Sequence, residues 1–165
     1  MALAAGPDVT DAELLARYRA GNVEAFRELY QRYARALLFY ARGDEDAVQE
    51  AFVRLLDRHD PAVSASAQAF LYTTVRNLVL DEKRKAAVRR RAVPALVRVE
   101  PDVDPEAVSA ALDRLPDDQR EAVVLKTYAG LTFEEIAKVA GAPAPTVMSR
   151  YRYALEKLAS LLRKP

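Results

Sequence analysis

Signals for helix starts and helix stops recur along almost the whole chain, and this feature constrains the fold most strongly. Capping residues at Thr10, Asn22, Asp44 and Thr132 stand before apolar residues spaced by three or four positions, and glycine often follows such segments. No segment shows the alternation of apolar and polar residues that is typical of a half-buried strand. The sequence therefore predicts an all-α protein.

Two prolines, Pro94 and Pro101, interrupt this pattern in the middle of the 165-residue chain. Around them, residues 93–104 lose the helical periodicity and carry acidic side chains, which is typical of a linker. Each flanking part is long enough for a small helical domain. We therefore expect two helical domains, residues 1–92 and 105–165, joined by a flexible acidic linker.

Composition excludes several classes of chemistry. The chain has no cysteine and one histidine, His59, so disulfides, thiolate catalysis and a Cys/His metal site are excluded. No serine elbow or glycine-rich phosphate loop is present. No apolar run approaches the about 20 residues of a membrane span, and the first residues lack the pattern of a secretion signal. We expect a cytoplasmic protein with no catalytic site, metal, cofactor or membrane contact.

Charged residues are segregated along the chain, although the net charge is only +1. Residues 76–98 hold eight basic and two acidic side chains, and residues 145–165 hold five basic and one acidic. Between them, residues 100–118 hold seven acidic side chains and one basic. Two basic segments around an acidic one predict two separate contacts with a polyanion such as nucleic acid.

The C-terminal part has the pattern of a helix–turn–helix. A short helix capped by Thr132 ends at Gly141, and a turn containing proline leads into a longer basic helix from about Pro145 to Leu162. Arginine can reach guanine edges or phosphates, and hydroxyl groups can donate to either. The candidate contacts with duplex DNA are Thr146, Ser149, Arg150 and Arg152. The alternative interpretation is a helical packing unit with a solvated basic face.

Aromatic and basic residues are combined on a long helix predicted from about Ala67 to Ala92, after a loop at residues 59–68. Unpaired bases gain about 1–3 kcal/mol each by stacking on aromatic rings, while cations follow the phosphates. The candidate contacts with a single strand are Phe70, Tyr72, Arg76, Asn77, Lys83 and Arg84. The alternative is a core role for the aromatic rings, with Phe70, Val75, Leu78 and Leu80 on or near the buried stripe.

An acidic helical face is predicted between these features and the N-terminus. Asp46, Gln49 and Glu50 follow one another at the i, i+3 and i+4 spacing, so a helix places them side by side. General acid–base chemistry and a cation site lack supporting residues nearby. A docking surface for a basic partner is the simpler interpretation.

Taken in this order, the three features resemble the sigma-70 family of bacterial RNA polymerase initiation factors, specifically its small extracytoplasmic-function group. DAVQEAFVRL at residues 46–55 looks like family region 2.2, and AFLYTTVRN at residues 69–77, with Asp81, looks like regions 2.3–2.4. The segments similar to region 4 are Leu115-Pro116 with Arg120, GLTFEEIA at residues 130–137, Thr146-Val147 and Ser149-Arg150.

The resemblance implies a promoter-specificity subunit, with region 2 as a helical bundle and region 4 as the helix–turn–helix. The acidic face would dock on the clamp helices of the largest polymerase subunit. Residues 60–68 and the helix at 70–84 would hold the melted minus-ten element, and the helix around Arg150 would read the minus-thirty-five element. The implied partners are core RNA polymerase, promoter DNA as duplex and as melted strand, and an anti-sigma factor.

Two other functional classes remain open on the residues alone. A stand-alone helix–turn–helix regulator would need only the basic C-terminal helix and would bind duplex DNA without polymerase. A nuclease would need clustered carboxylates that hold a metal, and no second acidic cluster accompanies the face at residues 46–50. Both classes predict that the protein acts on DNA without polymerase, which a polymerase subunit is not expected to do.

Overall fold

The computed structural model describes residues 9–85 and 104–163. The chain divides into two compact units, Met1–Arg91 and Ala92–Pro165. The described residues form helices and no strand, so the predicted all-α class is confirmed. The linker predicted at residues 93–104 lies outside the described residues, except for Asp104.

Five helices make up the described part of the first unit. They are α1 (Asp11–Arg19), α2 (Val23–Tyr40), α3 (Glu45–Asp57), α4 (Pro61–Ala65) and α5 (Ala67–Lys85). The capping box predicted at Thr10 is confirmed, because the Thr10 hydroxyl accepts from the Glu13 amide at 3.2 Å and the Glu13 carboxylate accepts from the Thr10 amide at 2.9 Å. The Asn22 side chain caps α2 by accepting from the Glu24 amide, and the Asp44 side chain caps α3 by accepting from the Ala47 amide.

The core of the first unit is formed mainly by leucine side chains from α1, α2, α3 and α5. On α2, Phe26 is half-buried and Tyr30 keeps 38% of its surface exposed. Ala25 and Leu29, each one residue before these aromatic positions, lie in the interior. The rings of Phe26 and Tyr30 border the core against Phe52, with centroids at 6.1 and 4.9 Å.

The loop expected at residues 59–68 is instead the short helix α4 followed directly by α5. The Asp60 side chain caps α4 by accepting from the Ala62 amide at 2.9 Å, and Pro61 fits its first turn. Ser66 ends α4 and directly precedes α5. A five-residue helix is too short to show a periodic apolar face, which explains why the pattern missed it.

Helix α5 buries Val75 of the predicted stripe, but it does not fully bury Phe70 or Leu80. Leu71, Tyr72 and Val75 are fully buried, whereas Phe70 is only half-buried and Leu80 is 40% exposed. Helix α5 packs against α2, α3 and α4, and these neighbours select the Leu71–Val75 face. The apolar residues of α5 lie on two adjacent stripes, so periodicity alone did not distinguish between them.

The second unit contains α6 (Pro105–Asp113), α7 (Asp117–Val123), α8 (Phe133–Ala140) and α9 (Ala144–Leu162). Helix α7 continues as a short π-helical segment, Val124–Tyr128. The largest fully buried side chains of this unit are Leu112, Leu125, Leu131 and Ile136. Among the described residues of both units, no helix is long and apolar enough to span a membrane.

The turn between α8 and α9 sets the geometry of the predicted helix–turn–helix. Gly141 ends α8 in the left-handed region at φ 65°, where a side chain is strained, and the Ala142 amide donates to the Ala137 carbonyl at 3.1 Å. Past the turn, the Phe133 ring meets the edge of the Tyr151 ring at 5.5 Å. These contacts fix α9 against α8.

Candidate nucleic-acid and polymerase interfaces

Helix α9 leaves all four of its predicted DNA contacts at least partly accessible. Val147, Ala154 and Leu158 form its buried face, so the positions between them point outward. Thr146 and Arg152 are exposed, and Ser149 and Arg150 are half-buried. Leu155, which follows the buried Ala154, is 43% exposed. The arrangement suits a helix that lies in a groove of duplex DNA.

Arg150 forms an ion pair with Asp118 in the first turn of α7. Its Nε lies 3.3 Å from Asp118 Oδ2, and the two side chains are 28% and 50% exposed. A pair with this exposure contributes about 1 kcal/mol or less to stability. Sequence reasoning missed this contact, because the two residues are distant in the chain and Asp118 belongs to the acidic segment.

Arg152 has different surroundings from Arg150. Its guanidinium lies over the ring of Tyr153 at 5.0 Å from the centroid, and the Tyr153 side chain is 51% exposed. Met148 is also 51% exposed on α9. Tyr153 was not among the candidates, although an aromatic residue directly beside a predicted DNA-contacting arginine is a signal that could have identified it.

On α5, Phe70 and the polar residues after it remain accessible. Phe70 is half-buried, and the guanidinium of Arg58 lies over its ring at 6.0 Å from the centroid. Asn77 is exposed and Arg76 is half-buried. Lys83 and Arg84 lie in the last turn of α5, and their side chains are outside the described residues.

Tyr72 corrects the sequence prediction for α5. Its side chain is 1% exposed, and its ring meets the edge of the Tyr40 ring at 5.3 Å. A buried ring offers no face on which a base could stack, so Tyr72 belongs to the core. Burial also raises the pKa of the Tyr72 hydroxyl. Tyr72 therefore has the core role that the sequence left open as an alternative for the aromatic residues.

A contact from α1 holds the segment between α3 and α5. The Arg19 guanidinium donates to the Arg58 carbonyl and, at 3.4 Å, to the buried hydroxyl of Ser64. Arg58 in turn carries the cation that lies over Phe70. Sequence reasoning missed Arg19 and Arg58 because neither residue lies in the basic block at residues 76–98.

Helix α1 itself is anchored to α2 by a charged cluster. Asp11 accepts from the Tyr33 hydroxyl at 2.5 Å and pairs with Arg32 at 3.0 Å. Burial is the largest cause that raises the pKa of the Tyr33 hydroxyl, and the hydrogen bond to Asp11 raises it further. This cluster fixes the helix that carries Arg19 and thereby supports the segment at residues 58–64.

The predicted acidic face is present on α3. Asp46, Gln49 and Glu50 are all exposed on this helix. Glu50 pairs with Arg54 at 3.0 Å, and both side chains are about half exposed. Val53 continues the same face and is 52% exposed. The surface therefore combines carboxylate, amide and apolar groups, which suits binding to another protein.

Comparison with known families matches both units. A family model of sigma-70 region 2 matches residues 22–89, and a model of sigma-70 region 4 matches residues 106–158. The chain is 35% identical over 169 aligned positions to the ECF RNA polymerase sigma factor SigM of Mycobacterium tuberculosis (strain ATCC 25618 / H37Rv). That similarity covers 93% of this chain and 85% of SigM.

Two solved structures resemble this fold. The structure of CnrH in complex with the cytosolic domain of CnrY matches with a TM-score of 0.66 at 32% identity, and covers 92% of this chain and 96% of that chain. The sigma factor RpoE in complex with the anti-sigma factor NepR from Bartonella quintana matches with a TM-score of 0.60 at 22% identity. The second match covers 85% of this chain and 98% of that chain, and it supports the fold alone.

Proposed function

The chain belongs to the extracytoplasmic-function group of the sigma-70 family, and we propose how its parts share the work of a promoter-specificity subunit of bacterial RNA polymerase. Residues 1–92 dock on the core enzyme and hold the minus-ten element. Residues 105–165 read the minus-thirty-five element. Residues 93–104 join the two, and their acidic side chains suit a basic channel along the RNA path.

The core enzyme docks on the acidic face of α3. The exposed carboxylates of Asp46 and Glu50 provide charge complementarity to a basic partner, and Gln49 between them offers both a donor and an acceptor. Exposed Val53 adds apolar area at the edge of the face. Because Arg54 already pairs with Glu50, the geometry of that carboxylate is set before docking.

The minus-ten strand binds along α4 and α5. Phe70, with Arg58 over its ring, is the aromatic surface there, and Tyr72 is excluded by its burial. Stacking of one unpaired base contributes about 1–3 kcal/mol, which offsets part of the cost of opening the duplex. Arg76 and Asn77, with Lys83 and Arg84 further along α5, follow the strand.

The minus-thirty-five element binds to the outward face of α9. Thr146, Ser149, Arg150 and Arg152 supply hydroxyl and guanidinium donors on successive turns of one helix. The observation that supports the whole proposal best is their presence on the second helix of a helix–turn–helix, in a chain that also exposes the acidic face of α3.

Reconstitution with core RNA polymerase tests the proposed function. Core enzyme with this protein is expected to start transcripts at promoters that core enzyme alone ignores. The competing function, a stand-alone regulator, predicts specific duplex binding without polymerase and with a steep dependence on salt. Absence of core binding together with such duplex binding would overturn the proposal.

Two opposed variants test the assignment of sites. Gln49→Ala combined with Glu50→Lys is expected to weaken core binding about tenfold, because it removes an interface donor and reverses an interface charge. Arg150→Ala is expected to leave core binding intact and to weaken promoter selection. Glu24→Lys on α2 is the matched control, since it reverses an exposed charge away from the proposed face. The reverse pattern of losses would show that the sites are misassigned.

The proposed partners are core RNA polymerase, promoter DNA and an anti-sigma factor. The RpoE relative in the second solved structure is held by the anti-sigma factor NepR. A pull-down from bacterial lysate with the full chain is expected to recover polymerase subunits. A pull-down that recovers no polymerase subunit would contradict the proposal that core RNA polymerase is a partner.

We place the protein in the cytoplasm, where promoter DNA and polymerase are found, and assign it no catalytic activity of its own. The family consists of initiation factors, which direct an enzyme and do not themselves catalyse a reaction. Metal-dependent cleavage of DNA by the purified chain would overturn this assignment, and the expected result is no cleavage with Mg²⁺ or Mn²⁺.

A further inference from the structure

We propose that Asp118 positions Arg150 for the recognition of one base pair in duplex DNA. Asp118 does not lie in the helix–turn–helix formed by α8 and α9. It lies in the first turn of α7, which packs against α9, and its carboxylate reaches Arg150 from there. This inference rests on the proposed function, because it assigns a role within the minus-thirty-five contact.

The contact leaves the recognition edge of the arginine available. Asp118 Oδ2 approaches Nε, the guanidinium nitrogen closest to the chain, at 3.3 Å. The bidentate fork that reads O6 and N7 of guanine can then be formed by Nη1 and Nη2. A carboxylate that fixes the guanidinium plane before binding reduces the rotamer entropy lost when the base is recognised.

The two arginines on α9 are expected to have different roles for this reason. Arg150 is 28% exposed and is held from the side by a carboxylate on a second helix. Arg152 is exposed, and its guanidinium lies over the neighbouring Tyr153 ring of the same helix. A guanidinium held by a carboxylate discriminates between base edges, whereas an exposed cation serves phosphates regardless of sequence.

The same contact admits an opposite role, in which Asp118 competes with DNA for Arg150. A competitor would hold Arg150 away from its base pair, so removing the carboxylate would leave the preference at that base pair unchanged or increase it. A positioning residue sharpens the preference at one base pair. Removal of the carboxylate separates the two roles, provided that the general effect of one lost negative charge is measured independently.

The experiment uses holoenzyme reconstituted from the full chain and core polymerase, with a pool of promoter-length duplexes of randomised sequence. Bound duplexes are sequenced to obtain the base preference at each position. Arg150→Ala is expected to reduce the preference for guanine at one position of the upstream element about tenfold or more. Asp118→Asn is expected to reduce it at the same position about fivefold.

Three further variants make the result specific. Asp118→Glu keeps a carboxylate and is expected to restore most of the preference. Glu156→Gln removes the same charge from an exposed site on α9 and is expected to leave base preference unchanged. The double variant of Asp118→Asn with Arg150→Ala is expected to lose no more than Arg150→Ala alone, which a merely structural role of Asp118 would not produce.

Three results would overturn the inference. The first is an unchanged or increased preference in Asp118→Asn holoenzyme, with or without tighter binding to all duplexes than Glu156→Gln shows. The second is wild-type holoenzyme that enriches no upstream element, and this result would overturn the proposed function as well. A preference lost at several unrelated positions in Asp118→Asn would also count against it, because it indicates a general disturbance of α9.

Discussion

Helices α5 and α9 are both 19 residues long, both combine aromatic and basic residues, and both are proposed to contact DNA. They use their large side chains in opposite ways. Helix α5 buries Leu71 and Tyr72, whereas α9 leaves Met148, Tyr153 and Leu155 between 43% and 51% exposed. Similar composition therefore does not indicate a similar surface.

The difference follows from what each helix packs against. Helix α9 meets α6, α7 and α8 through small or branched residues, chiefly Val147 and Ala154, so its long side chains remain outside. Helix α5 fills the space between α2, α3 and α4 and needs larger side chains inside. The comparison supports the proposal that α9 reads bases with its side chains and that α5 contacts DNA mainly through polar groups and the partly exposed Phe70.

The largest expected effect comes from replacing a tyrosine with alanine, once on α5 and once on α9. Tyr72→Ala is expected to lower the free energy of unfolding by about 3–5 kcal/mol, because it leaves a cavity in the core. Tyr153→Ala is expected to lower it by about 0.5 kcal/mol or less, because half of the ring is already in water. Urea unfolding of the full chain measures both. Equal losses would contradict the comparison.

Alkaline pH is expected to unfold the first unit through its buried phenols. Burial raises the pKa of Tyr72 above its usual value of 10.0, so the fold favours the neutral phenol. That stabilisation is complete below pH 10.0 and is lost as the pH rises above it. Tyr33, whose pKa is also raised, contributes in the same direction.

Tyr72→Phe provides the test of this pH dependence. No partner of the Tyr72 hydroxyl is found among the described residues, so its removal is expected to cost little at neutral pH. The variant is expected to unfold at higher pH than the wild type, measured by circular dichroism across a pH series. Tyr153→Phe, on the exposed side of α9, is the control and is expected to leave the midpoint unchanged. An unchanged midpoint in Tyr72→Phe would show that this phenol does not control the transition.

Arg152→Ala sharpens the distinction within α9. The variant is expected to weaken holoenzyme binding to all duplexes alike, about fivefold, and to reduce the slope of log affinity against log salt by about 1. Titration at several salt concentrations, on duplexes of different sequence, measures both quantities. A selective loss at one base pair would assign base recognition to Arg152 instead.

The smallest expected effect is on stability, and it concerns Gly141 before α9 and Ser66 before α5. Gly141→Ala is expected to cost about 1 kcal/mol, because Gly141 has φ 65° and an alanine there is strained. Ser66→Ala, just before α5, is expected to cost less, since Ser66 has φ −122° and any residue adopts that conformation. Thermal unfolding of both variants measures the difference. A larger cost at Ser66 would indicate that its hydroxyl has a structural role.

The sequence predicted the helices and their starts more reliably than the faces they bury. Thr10, Asn22, Asp44 and Thr132 each cap a helix as expected, because a cap depends on residues within one turn. The prediction for the buried face of α5 was correct for Val75 and missed Leu71 and Tyr72. The choice of this face depends on α2 and α3, which are distant in the sequence.

The candidate sites divide in the same way. Local spacing was sufficient to place Asp46, Gln49 and Glu50 together on α3, since one helix carries all three. The burial of Tyr72 and the pairing of Asp118 with Arg150 depend on packing between helices.

By itself, the sequence determined the all-α class, the positions of most helices, and the family resemblance carried by its motifs. The tertiary structure decided which aromatic residues face the core, which arginine is held by a carboxylate, and how Arg19 secures the segment before α5. The physical reason is the separation along the chain of the residues that interact. Hydrogen bonds within a helix and its caps join near neighbours in the chain, whereas burial and ion pairs between helices depend on how those helices pack.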